Sequence, residues 1–126
     1  MTMVDIGMSI SEAAGRTGLS THALRYYERE GLMLGGVDRA SSSHRRYTEG
    51  DITWVVFLTK LRSTAMPISK VREYVDLVRA GGDSTPARLE LLLEHRRTVL
   101  AQLEEMTNSL AAIDYKIATY QQKVSK

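Results

Sequence analysis

Leu89, Leu92, Arg96, Val99, Leu103, Met106, Leu110, Ile113, Ile117, Tyr120 and Val124 follow one another at alternating intervals of three and four residues, and ten of the eleven are apolar. Sustained over five heptads, this spacing predicts a coiled-coil helix rather than an ordinary surface helix, because a 3.5-residue repeat holds one narrow seam on one side. Residues 87–124 contain neither glycine nor proline, so nothing invites the segment to fold back on itself. From Pro86 to Val124 the helix would run about 58 Å at ~1.5 Å per residue. The 80 residues that precede the linker are too few to bury such a seam, and a second copy of the chain is expected to cover it. Arg96, the one charged seam residue, is placed to fix register or to pair with Glu90 or Glu94 across that dimer. Leu93 and Leu100 add a secondary stripe confined to the first half of the rod.

Upstream, the chain reads as a series of shorter helices. Ser9 with Glu12 fits a capping box and starts a helix running to about Arg16. Gly18-Leu19-Ser20 makes a tight turn into a second helix, which Ser20 caps and Gly31 stops. Ala13, Ala14, Leu19 and Leu24 are small or apolar and suit the packing of the pair, a helix-turn-helix pattern that an ordinary helical hairpin would share. Leu32 to Tyr47 reads as a loose β-hairpin or wing with a serine-rich tip, Ser41 to Ser43. Thr48-Glu49-Gly50-Asp51 resembles a further cap, for a helix reaching about Ala65 that is apolar on more than one side. Pro67 suits the start of the next helix, with Val71, Tyr74, Val75 and Val78 as its stripe and Gly81-Gly82 as its end. Thr85 as N-cap and Pro86 as first helical residue then open the long rod. The expected domains are residues 1–80 and 81–126.

The second short helix carries the chemistry. At about 100° per residue, His22, Arg25, Tyr26 and Arg29 share an arc roughly 100° wide, while Leu24 and Tyr27 fall on another face and pack inward. Arginine, an aromatic hydroxyl and imidazole on one helical face suit phosphates and base edges. Net charge is only +2, but Arg39 to Thr48 holds three arginines, His44 and no acid, which makes that loop a phosphate-binding candidate. The chain has no cysteine, which excludes disulfides, thiolate metal sites and thiol redox sensing. No metal site and no cofactor are expected. His22, His44 and His95 are scattered, no phosphate-cradling glycine loop is present, and an enzyme is not expected. Trp54, Tyr74 and the six methionines suit a core better than an effector pocket. Met1 to Ser9 lacks the features of a signal peptide, no run is long enough to span a membrane, and a cytoplasmic location is expected.

Ile10-Ser11-Glu12-Ala13-Ala14, Thr17-Gly18-Leu19-Ser20, Leu24-Arg25-Tyr26-Tyr27-Glu28-Arg29-Glu30-Gly31-Leu32, His44-Arg45-Arg46-Tyr47 and Leu61-Arg62 stand in the order and spacing of MerR-type transcriptional regulators. The resemblance covers residues 8–80 closely. It implies a mainly α fold: a winged helix-turn-helix DNA-binding head followed by a long helix that forms an antiparallel dimeric coiled coil. It further implies a bacterial homodimer on an inverted repeat in double-stranded promoter DNA, where members activate by distorting an over-long spacer or simply repress. By position, Thr21, His22, Arg25 and Tyr26 would sit at the major groove with Tyr27 nearby and Arg29 on the same face. His44, Arg45 and Arg46 would lie on the wing, with Arg39 in the same basic loop, and Arg62 would reach backbone phosphate. Tyr47 would anchor the wing in the core. RNA polymerase and a small-molecule effector are the further partners the resemblance allows.

Departures from the family pattern are few. Gly35-Gly36 replace a common proline, and Ser43 and Ala65 replace common glycines. Leu61-Arg62, Met66-Pro67-Ile68 and Asp83-Ser84-Thr85 resemble an aldehyde- or electrophile-stress subgroup that sometimes works through a cysteine, which this chain lacks. Only Ser125 and Lys126 follow Val124, so the drug-binding domain of multidrug-responsive relatives is expected to be absent. The alternative function is a coiled-coil adaptor whose head binds protein instead of DNA.

Overall fold

The computed structural model describes residues 7–35, 38–39 and 45–125, with the backbone alone at residues 38, 39, 45 and 46. In order, its elements are α1 (Ile10–Thr17), α2 (Thr21–Arg29), β1 (Asp38–Arg39), β2 (Arg45–Arg46), α3 (Glu49–Ser63), α4 (Ile68–Ala80), one 3₁₀ turn (Gly82–Ser84) and α5 (Thr85–Val124). Two compact units, residues 1–88 and 89–126, divide the chain.

In the first unit α1 packs on α2 and α3, and α3 on α4. Side-chain caps start three of these helices. Ser9 Oγ accepts from Glu12 N–H at 3.2 Å and Ser20 Oγ from Ala23 N–H at 3.0 Å. Glu12 turns its carboxylate to the Ser9 hydroxyl, so the reciprocal bond expected there is made instead at Thr48, where Asp51 accepts from Thr48 N–H at 2.9 Å. Ala13 is fully buried, small enough to let α1 approach its neighbours. Leu24, Leu32, Tyr47, Val55, Leu58, Met66, Val71 and Val75 are the largest fully buried side chains. α3 buries Ile52, Val55, Leu58 and Leu61 and half-buries Trp54, Val56 and Phe57, as a helix with several neighbours must.

Strands β1 and β2 pair antiparallel with Asp38 opposite Arg46 and Arg39 opposite Arg45, the stem of the expected wing. Met8 adds a bridge to Tyr47, with backbone bonds of 2.7 and 2.8 Å, tying the chain before α1 to the base of that stem.

Two helices end in the same way. After α2, Gly31 takes φ +71°, its N–H bonds Glu28 C=O at 3.1 Å, and Leu32 N–H reaches Tyr27 C=O at 2.9 Å. After α3, Ala65 N–H bonds Arg62 C=O at 3.0 Å and Met66 N–H reaches Leu61 C=O at 3.0 Å. Both are Schellman ends, and the left-handed residue they need is glycine in one but Ala65, at φ +70°, in the other. A Cβ in that region costs roughly 1–2 kcal/mol, while alanine gains about 0.4–1 kcal/mol over glycine by restricting the unfolded chain. The folded-state cost is the larger, so Ala65→Gly should stabilise the protein by about 0.5–1 kcal/mol. Denaturant unfolding with an unchanged or lowered midpoint would show that the turn holds alanine without strain.

The entry to α5 differs from expectation. Thr85 is not an N-cap: it is already helical (φ −54°, ψ −45°), because the 3₁₀ turn runs straight into the helix. Its hydroxyl donates to Gly82 C=O at 3.2 Å and accepts from Arg88 Nη2 at 2.8 Å. Ser84 Oγ serves the end of α4 instead, bonding Leu77 C=O at 2.5 Å and Gly81 C=O at 2.7 Å.

The second unit belongs to α5, which has 40 residues in all and spans about 60 Å at ~1.5 Å per residue. Among the described residues no helix is long and apolar enough to cross a membrane.

Candidate nucleic-acid interface

Helix α2 separates its two faces cleanly. Leu24 is fully buried and Tyr27 is 8% exposed, its hydroxyl 3.4 Å from Thr59 Oγ1 on α3. His22, Arg25, Tyr26 and Arg29 are exposed, and Thr21 at the first helical position is half-buried. Tyr26 lies against Tyr27 with ring centroids 6.3 Å apart and tilted by 55°. Tyr27 thus stands apart from the other candidate contacts: its ring belongs to the core and braces α2 from behind.

The two acids near the end of α2 are drawn off that outer face. Glu28 accepts a hydrogen bond from the buried Tyr47 hydroxyl, and Glu30 forms an ion pair with Arg72 of α4. Both Arg25 and Arg29 are exposed, and no described residue forms an ion pair with either. An anionic surface is the natural complement of that arrangement.

Arg62 is exposed on α3 and donates from Nη1 to Met66 C=O at 2.7 Å, across the Schellman turn. One edge of its guanidinium is occupied, and an arginine has five donors, so a phosphate contact remains open to it. Of the wing candidates, His44 and the side chains of Arg39, Arg45 and Arg46 lie outside the described residues.

Arg16 of α1 is an exposed cation of another kind. It grips Glu49 of α3 through two parallel bonds of 2.8 and 2.7 Å. The hydrogen bonds and charge of that pair hold the Arg16 pKa above its ordinary value and the Glu49 pKa below the usual carboxylate range. Arg16 is therefore a strut between helices rather than a spare charge.

Sequence reasoning missed the residues that support the end of α2. Trp54 donates its indole N–H to Leu32 C=O at 2.8 Å while stacking on Tyr74, centroids 5.9 Å apart and 16° from parallel. Tyr74 also meets Phe57 at 5.7 Å. Arg79 of α4 donates to the carbonyls of Gly31 and Met33. No local pattern marks these bonds, because they join residues 22 to 48 positions apart.

On α5 the seam stands open in the protomer. Leu89, Leu103, Met106, Leu110, Ile113, Ile117, Tyr120 and Val124 are between 47% and 83% exposed, with Leu92 and Val99 half-buried. Contiguous apolar surface of that length marks an interaction face. Arg96 is exposed within it, while Glu90 lies 3.9 Å from Arg97 rather than from Arg96. No three His, Asp or Glu side chains among the described residues are grouped to hold a metal ion.

Residues 8–77 match the MerR HTH family regulatory protein model. An HTH-type transcriptional regulator of Haemophilus influenzae is 32% identical over 111 residues, 88% of this chain and 82% of its own. The regulator AdhR of Bacillus subtilis is 36% identical over 93 residues, 74% of this chain and 66% of its own. Among solved structures, HiNmlR, a MerR family regulator lacking the sensor domain and bound to promoter DNA, superposes with a TM-score of 0.85 at 31% identity, covering 90% of this chain and 86% of that one.

Proposed function

Since the chain belongs to the MerR family and is a DNA-binding transcriptional regulator, we propose that it works as a homodimer on an inverted-repeat operator within a promoter. The observation that carries this reading is the exposed face of α2 bearing His22, Arg25, Tyr26 and Arg29, in a chain whose relative HiNmlR is bound to promoter DNA. Thr21, His22, Arg25, Tyr26 and Arg29 enter the major groove, where arginine reads guanine and aromatic or hydroxyl groups meet phosphates and base edges. Tyr27 contributes from behind by fixing α2. Arg39, His44, Arg45 and Arg46 hold phosphates from the wing, and Arg62 reaches the backbone beside them.

Two copies pair through the α5 seam as a coiled coil, with Leu89, Leu92, Val99, Leu103, Met106, Leu110, Ile113, Ile117 and Tyr120 buried between them and Arg96 setting the register. The dimer activates by distorting the promoter spacer or represses by occupying it.

The test uses the duplex that the wild-type protein selects from a random-sequence library. Footprinting should show two-fold-symmetric protection, since a symmetric dimer reads two half-sites. Log affinity should fall linearly with log salt, by about 0.9 per phosphate neutralised. A protein that selects no duplex, or binds one without salt dependence, is the adaptor instead of the regulator.

A further inference from the structure

Three consecutive backbone carbonyls just beyond α2 are held by side chains from elsewhere in the first unit. Arg79 Nη2 donates to Gly31 C=O at 2.8 Å and to Met33 C=O, and Trp54 Nε1 donates to Leu32 C=O between them. One residue back, Glu30 is paired with Arg72. Arg72 and Arg79 are seven apart on α4, two helical turns, so one face of α4 supplies both cations.

This segment needs outside partners for a physical reason. It leaves the C-terminus of α2, where carbonyls lack helical donors and the helix dipole concentrates negative charge. Gly31 is exposed, but Leu32 and Met33 are 1% and 4% exposed, so water is a poor substitute for the donors at those two carbonyls. A guanidinium answers both needs at once: it is cationic, and the two hydrogens of one Nη2 reach both acceptors. The segment is also the only covalent route from α2 to β1 of the wing. Side chains of α3 and α4 therefore hold the chain where it leaves α2 toward the wing.

We propose that Arg79 is a positioning residue for DNA binding: by holding the Gly31 and Met33 carbonyls it sets the wing at the angle to α2 at which both meet one duplex. Arg79 acts through the backbone and touches no nucleotide. The inference rests on the DNA-binding reading above.

The test compares wild type with Arg79→Gln, Arg79→Lys and Arg72→Gln, on the selected duplex and on a shuffled duplex of the same length, at a temperature where circular dichroism shows each variant folded. Arg79→Gln should lose at least tenfold in affinity for the selected duplex, change less than twofold on the shuffled one, and keep the wild-type salt slope. Arg79→Lys, which keeps the charge and can still donate to both carbonyls, should recover to within about threefold. Trp54 is the chain's one tryptophan and donates to Leu32 C=O of that segment, so its emission in the free protein should shift in Arg79→Gln.

A salt slope reduced by about one, with both duplexes weakened equally, would instead make Arg79 a direct phosphate contact. Selected-duplex affinity equal to wild type, or an unshifted Trp54 spectrum alongside lost affinity, would also overturn the inference. If Arg79→Gln does not fold, Arg72→Gln decides: a loss confined to the selected duplex supports positioning, and none refutes it. Failure of the wild type to select any duplex overturns the regulator reading itself, which is a separate outcome.

Discussion

Arg25→Ala should weaken binding to the selected operator by roughly 5- to 160-fold, the ~1–3 kcal/mol of a bidentate base contact, and leave the dimer intact. The side chain is exposed and makes no ion pair with any described residue. The Ser20 cap and the buried Leu24 and Tyr27 that hold α2 in place all remain. The pattern of loss is as informative as its size. A base contact would relax preference at one operator position, whereas a phosphate contact would weaken all duplexes and lower the salt slope by about one. Titration of the selected duplex, with sedimentation confirming the dimer, checks both. Undiminished affinity would mean that this face of α2 does not meet DNA.

Leu103→Asp combined with Leu110→Asp should produce a folded monomer whose operator affinity is at least 100-fold below wild type. These leucines occupy mid-seam positions and are 57% and 55% exposed in the protomer, so the head does not depend on them for folding. In a dimer they would place four carboxylates inside an apolar seam, where unpaired charge is strongly disfavoured. The drop in affinity follows because linking two heads raises the effective concentration of the second, a gain of ~10²–10⁴ that a lone head forfeits. Sedimentation equilibrium, far-UV circular dichroism and operator titration read association, helicity and affinity separately. A variant that still sediments as a dimer would show that the seam is not where the copies meet.

Much of this was legible from local signals. Ser9, Ser20 and Thr48 announce helix starts because a side-chain oxygen three residues before a free amide is a short-range device. Gly31 marks the end of α2 because the left-handed conformation falls to glycine. The open seam follows from periodicity alone, and so does the division of α2 into a buried and an exposed face.

What was missed depends on chain segments meeting across the fold. Thr85 has the composition of a cap, but the 3₁₀ turn from Gly82 carries it into the helix before it can act as one. Trp54 reads as core from its apolar neighbours, and only the approach of Leu32 reveals the indole N–H as a donor. Arg72 and Arg79 look like solvated charges on an amphipathic helix until α4 is laid against the end of α2. The Arg16–Glu49 strut is hidden for the same reason, since its partners lie 33 residues apart.

If two copies pair through the open face of α5, activity follows abundance. Below the concentration at which two chains associate, the paired form grows with the square of the amount synthesised, so halving gene dosage cuts promoter occupancy by nearly four. An unmated chain meanwhile presents a ladder of greasy side chains to proteases and chaperones. Pairing through that face would thereby leave scarce protein both silent and short-lived, a threshold set by abundance.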